Sequence, residues 1–170
     1  MKTNSSYRET TSKATDAKLK EILDMVLKEP THLNYWNAYK QIQRLNLRMA
    51  DIPDKKRIKI ALLSSFTIDP LSMYLDIKCR LVGLNPEIYI GPFNQYQQEI
   101  LDTNSRLYAF KPNIVVLAVQ AESLLPQDFF SKYVKISKQE KEKHQTEIID
   151  RFKTLISLLT SRTNTLVLMN

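Results

Sequence analysis

The chain of 170 residues is 43% hydrophobic and 25% charged, with 25 Lys+Arg against 18 Asp+Glu for a formal charge of +7. That length suits one modest core, and no apolar run approaches the roughly 20 residues that a bilayer span needs, which excludes a membrane helix. The polar start, MKTNSSYRETTSKATDAK, lacks the apolar stretch of a secretory signal, and the single Cys79 excludes an internal disulfide and agrees with a reducing compartment, so a cytoplasmic protein is expected.

The positive charge is uneven: residues 1–60 hold 13 Lys+Arg and 7 Asp+Glu, whereas residues 61–170 hold 12 and 11. Within the basic part, cations alternate with acids except at Lys55-Lys56-Arg57 with Lys59 beyond. No aromatic residue interleaves that cluster as a base-stacking platform requires. Nucleic acid is therefore not the expected partner, and a solvated face or an acidic protein partner suits the distribution better.

In chain order, residues 1–15 are polar and carry too few apolar groups to offset ordering entropy, so a flexible tail is expected. From Asp16, placed to cap a helix, Leu19, Ile22, Leu23, Val26 and Leu27 fall on one stripe. Pro30 breaks that helix, and Thr31 can cap a second one lined by Tyr35, Tyr39, Ile42 and Leu45, with Trp36 and Met49 as core or staple residues. This helical lead-in, 16–54, closes on the turn-like Asp51-Ile52-Pro53-Asp54.

A strand-then-helix rhythm follows over 55–170. Arg57 to Leu63 reads as a buried strand. Asp69-Pro70 supplies a cap followed by a first-turn proline, and the spacing places Leu71, Tyr74, Leu75, Cys79 and Val82 on one helical face ending at Gly83. Glu87 to Ile90 is a short second strand, Gly91-Pro92 turns into a helical NQYQQEILD, and Ile114 to Val119 has the unbroken apolar character of a central parallel strand. Gln120 to Val134 reads as a loop with short turns. A long helix from Ser137 buries Ile148, Phe152, Leu155 and Leu159, and Leu166 to Met169 makes a last strand. The pattern predicts an α/β fold: a three-layer, flavodoxin-like parallel sheet of about four strands with right-handed crossovers, preceded by two helices. Ligands are then expected beyond the carboxyl ends of the strands.

The candidate site residues follow from that rule. The loops after Leu63, Ile90 and Val119 carry Ser64, Ser65, Phe66 and Thr67, then Phe93, Asn94 and Gln95, then Gln120 and Glu122. Their hydroxyls and amides can hold a carbonyl or phosphate oxygen; loops after strands are polar in any case, and Thr67 or Asp69 can simply cap the next helix. A serine nucleophile, Ser64 or Ser65, needs a base beside it, and the chain has only His32 and His144, neither placed near these loops by the pattern. One cysteine and two distant histidines offer no metal-ligand spacing, and no Asp-x-Asp pair or phosphate-cradling glycine loop is present.

The run Ile60-Ala61-Leu62-Leu63-Ser64-Ser65-Phe66-Thr67-Ile68-Asp69-Pro70-Leu71 resembles the amino-terminal domain of FkbH-like proteins. The likeness continues through Gly91-Pro92-Phe93-Asn94-Gln95-Tyr96-Gln97-Gln98-Glu99-Ile100-Leu101 and Ser105-Arg106-Leu107-Tyr108-Ala109-Phe110-Lys111-Pro112, in order. The resemblance implies an SGNH-hydrolase-like α/β domain over 55–170 that would still need its last strand and helix after Asn170, followed in full-length members by a haloacid-dehalogenase-type domain of subfamily IIIC. That second domain, with its Mg2+, would hold the phosphoryl chemistry; no cofactor is expected in this chain. It also implies a place in loading a glyceryl or related acyl unit onto an acyl carrier protein for polyketide-type biosynthesis. Ser64 stands where the family usually carries glycine, and the hydrolase Gly-Asp-Ser signature is not legible in Ser64-Ser65-Phe66. The expected role is binding and positioning, with acyl carrier protein and a haloacid-dehalogenase-like domain, in cis or in trans, as partners. An SGNH-type esterase or thioesterase using Ser64 or Ser65 is the alternative, and a truncated copy with no catalysis is a third.

Overall fold

The computed structural model describes residues 3–45 and 56–169, with side chains from Thr15 onward. The chain divides into two compact units, Met1–Arg57 with Pro70–Pro86, and Ile58–Asp69 with Glu87–Asn170.

The first unit is helical. Helix α1 spans Thr3–Lys28 and α2 spans His32–Arg44. The segment expected to be a tail thus has helical backbone from Thr3, and Asp16 lies inside α1 instead of capping it. No proline or glycine interrupts the chain before Pro30, so a helix nucleated by the apolar stripe can propagate upstream. Thr31 caps α2 as expected, its Oγ1 accepting from the Asn34 N–H at 3.3 Å. Helix α3, Asp69–Leu81, begins at Asp69-Pro70 and ends where Gly83 adopts φ 81°. There the Gly83 and Leu84 N–H groups donate to the Arg80 and Cys79 carbonyls, both at 2.9 Å, a left-handed glycine stop.

Ile22, Val26, Tyr35, Ala38, Ile42, Met73 and Ile77 form the core of this unit. Two expectations fail here. Trp36 is 46% exposed, with the Lys40 ammonium 4.5 Å above its ring. The inward face of α3 is Met73, Asp76 and Ile77, while Leu71 and Val82 are exposed. Asp76 can be buried because the Arg80 guanidinium pairs with it at 2.7 Å and also reaches the Asn85 side-chain oxygen; a hydrophobicity pattern has no means of seeing a neutralised pair. Met49 and the 51–54 turn lie outside the described residues.

The second unit is built on a sheet of β1 (Arg57–Ser64), β2 (Asn85–Ile90), β3 (Ile114–Ala118) and β4 (Leu166–Met169) in the order β2-β1-β3-β4, all parallel. This is the α/β class expected, with the flavodoxin-like reversal of strand order between β1 and β3. β2 starts at Asn85, two residues before the expected Glu87, with Pro86 near the strand's start, where a missing N–H is tolerated. In register, Leu63 meets Leu117 and Ser64 meets Ala118. Ala61, Leu63, Val115 and Leu117 pack with Tyr96 and Ile100 of α4 (Tyr96–Leu101), Leu107 of α5 (Arg106–Phe110), and Leu155 and Leu159 of a long helix that follows β3. Ile60 and Leu62, on the opposite face by alternation, are buried too, which explains why β1 is apolar without a break from Ile60 to Leu63. After β3 come a 3-10 turn (Ala121–Ser123), the short α6 (Phe129–Lys132) and that long helix, α7 (Lys138–Arg162).

Candidate functional site

Three connections leave the carboxyl end of the sheet, and backbone geometry ties them together. Ser65 extends the β1–β3 ladder one step, its N–H donating to the Ala118 carbonyl at 3.0 Å. Its Oγ then accepts the Gln120 N–H at 2.9 Å. Ser64 Oγ donates to the Phe66 carbonyl at 2.5 Å, and the Ser64 carbonyl accepts the Asn94 N–H at 3.1 Å. Both serines are buried, at 3% and 7% exposure. Their side chains therefore hold loops: Ser64 curls its own turn, and Ser65 fastens the β1 connection to the β3 connection.

The Ser65–Gln120 hydrogen bond joins the β1 and β3 connections where the strand order reverses. An open cleft of about 300 Å3 lies between the connections after β1 and β2. Of the predicted residues, Ser64, Phe66, Thr67 and Phe93 line it; Ile68, Asp69, Ile90 and Gly91 also line it and were not singled out as site residues. Asn94 borders it through its backbone, in the left-handed region at φ 54°, a conformation that asparagine tolerates better than most residues. Gln95 precedes α4 without a side-chain cap bond, Gln120 contributes its backbone N–H to Ser65, and Glu122 sits exposed in the 3-10 turn. These three do not line the cleft.

Gly91 forms the floor. Its N–H donates to the Leu62 carbonyl at 2.8 Å, and a Cβ there would lie 2.6 Å from Leu63 Cδ2 and 3.5 Å from the Leu62 oxygen. Glu99 stands behind it: its carboxylate accepts from the Tyr89 hydroxyl at 2.8 Å and the Leu107 N–H at 3.1 Å, joining β2, α4 and α5. Burial, then the hydrogen bond to Glu99 and its charge, push the Tyr89 phenol well above the usual tyrosine range. Arg162 completes the support by donating from Nη1 to the Ile100 and Leu101 carbonyls, both at 2.9 Å. A sequence signal for this framework existed only in Gly91, one of two glycines in the chain.

The chemistry available is recognition by a mixed aromatic and polar wall: Phe66 and Phe93 offer apolar surface, Thr67 a hydroxyl, Asp69 a carboxylate. The two histidines are engaged elsewhere. His32 Nδ1 shares a hydrogen bond with the Tyr74 hydroxyl at 2.6 Å in the helical unit. His144 stands edge-on to Phe129 with ring centroids 5.4 Å apart, its Nδ1 3.5 Å from Glu147. Neither is the hydrogen-bond partner of Ser64 or Ser65. Among the described residues no group of His, Cys, Asp or Glu could hold a metal ion, and no helix is long and apolar enough to cross a membrane.

Fold and cleft together define an α/β domain with an open cleft at the carboxyl ends of its strands. In solved structures, the chain is similar to the N-terminal part of the protein BF1531 from Bacteroides fragilis, described as containing a phosphatase domain complexed with Mg. The TM-score is 0.54 at 20% identity, covering 77% of this chain and 32% of that one. The chain thus spans about a third of that neighbour's length, and the likeness is one of fold. No family model matches the chain, and no curated protein matches it.

Proposed function

We propose that the chain is a binding and positioning domain of an FkbH-like protein, holding part of a substrate or carrier at the cleft between the β1 and β2 connections while another domain performs the chemistry. The observation that carries this reading is the use of both serine hydroxyls as loop fasteners, Ser64 to Phe66 and Ser65 to Gln120. A serine nucleophile requires a base to take its proton, and both histidines make their hydrogen bonds and ring contacts elsewhere. The partner on this reading is an acidic acyl carrier protein bearing a glyceryl or related acyl unit. The phosphoryl step and its Mg2+ belong to a haloacid-dehalogenase-type domain, in cis or in trans. The motif likeness and the fold shared with a piece of a phosphatase-domain protein support this placement. The basic excess of residues 1–60 suits a partner of opposite charge, and charge complementarity of this kind speeds encounter more than it adds affinity.

Titration of isotope-labelled holo acyl carrier protein with the chain, at low and high salt, tests the reading. Binding that weakens with salt is expected, and Phe66→Ala with Phe93→Ala should lower affinity about tenfold, as loss of aromatic anchors does. Unchanged carrier spectra at both ionic strengths overturn it. Ester hydrolysis that vanishes in Ser64→Ala with Ser65→Ala would instead select the esterase reading.

A further inference from the structure

The cleft between the β1 and β2 connections lies at the opposite end of the strand order from β4. Among the described residues that line it, Asp69 is the one ionised side chain, and none is Lys, Arg or His. The hydrogen-bond donors beside it are spent on the protein: the Ser64 hydroxyl donates to the Phe66 carbonyl, the Gly91 N–H to the Leu62 carbonyl and the Asn94 N–H to the Ser64 carbonyl. A phosphate or carboxylate placed there would meet another carboxylate with no cation to offset it. The start of a helix contributes only about half a positive charge, and Asp69, the first residue of α3, sets a full negative charge against it. What the walls do offer is apolar surface, from Phe66 and from Phe93, which is 67% exposed. The exposed Thr67 hydroxyl can both donate and accept. A volume of about 300 Å3 stands at the lower end of the range for ligand pockets, which suits a segment of a chain better than a whole drug-sized ligand.

We infer that this cleft is an anion-excluding site for an uncharged, amide-bearing chain, with Asp69 as the residue that sets its selectivity. The source of that chain rests on the carrier reading above: it is the pantetheine arm of the carrier, whose geminal methyl groups suit the two phenyl rings and whose amides suit the Thr67 hydroxyl. The phosphate at the root of the arm stays outside, with the acidic carrier. Binding of the arm and docking of the carrier then respond differently to salt. An uncharged ligand leaves nothing for salt to screen, whereas attraction between a basic surface and an acidic carrier weakens as ionic strength rises.

Chemical-shift mapping on the isotope-labelled full chain tests the inference with two probes that share one stem, uncharged pantetheine and the carboxylate pantothenate, and with inorganic phosphate as a third. Pantetheine should shift the Thr67, Gly91 and Phe93 amides to saturation, and phosphate should leave them unmoved. Pantothenate should bind about tenfold more weakly than pantetheine, the scale of one like-charge contact near a protein surface. High salt should narrow that gap in the wild type by screening Asp69, and Asp69→Asn should narrow it further. Phe93→Ala should weaken pantetheine about tenfold, as loss of an aromatic anchor does. Pantetheine that moves none of these amides, or pantothenate or phosphate that binds there as tightly as pantetheine, overturns the inference. A capped dialanine amide that binds the cleft more tightly than pantetheine also overturns it, moving the source of the chain from a carrier arm to a peptide. Carrier protein that binds while pantetheine does not reach the cleft overturns this inference alone; pantetheine held at the cleft with carrier protein unbound supports the anion-excluding site and overturns only the carrier reading.

Discussion

Tyr89 and Gly91 show how single residues shape the cleft from behind. Tyr89 stays protonated to donate to Glu99, and its folded value lies above the unfolded one near about 10. Its contribution is therefore full below that pH and is lost as pH rises through the folded value. Tyr89→Phe should cost about 1 kcal/mol in urea unfolding at neutral pH, the usual worth of such a bond. Alkaline difference absorbance of the wild type should show a late-titrating tyrosine that is missing from Tyr89→Phe, and a late phase unchanged in that variant would contradict the geometry. Gly91→Ala places a methyl against Leu63, which is 1% exposed and cannot retreat; overpacking of about 1–3 kcal/mol is expected in the same assay. Of these two residues only Gly91 was legible beforehand, because a scarce glycine after a strand marks a turn or a close approach, whereas the Tyr89–Glu99 hydrogen bond joins positions whose meeting requires the folded backbone.

The helices and strands were legible to different depths. Helix α7 begins at Ser137 with a reciprocal cap, the serine accepting the Glu140 N–H at 3.2 Å while Glu140 accepts the Ser137 N–H at 3.0 Å. Ser137→Ala should lower stability by about 1 kcal/mol. The Ser137 hydroxyl and N–H hold the Glu140 carboxyl below the usual range, so this cap strengthens folding above the unfolded carboxylate value and weakens as pH falls through the folded one. A wild-type minus Ser137→Ala difference that does not shrink on acidification would reject the pairing. In α3 the sequence placed the helix but rotated its inward face, because Asp76 counted as polar. Arg80→Ala should leave that carboxylate buried without its partner, costing about 3–5 kcal/mol by urea unfolding, and a loss near that of an exposed ion pair would show the site to be wet. The short α5 escaped the sequence reading because five residues are too few to display a period.

For the whole molecule, the core beneath the cleft is shared by β1, β3, α4, α5 and α7, so a substitution far from the loops should still reach them. Leu117→Ala, at a fully buried position between Leu63 and Met169 in register, should cost about 2–5 kcal/mol through lost burial and a residual cavity; a cost under about 1 kcal/mol would mean that the sheet does not carry the stability of this unit. The sequence by itself determined the α/β class, the parallel strands and the loops that gather at their carboxyl ends, because apolar periodicity and chain order encode which faces are buried and how the chain must cross. Only the tertiary structure decided that Ser65 fastens the β1 connection to Gln120 after β3 and that a cleft opens between the β1 and β2 connections. Those outcomes depend on hydrogen bonds between residues 55 positions apart in sequence, whose partners no local pattern specifies.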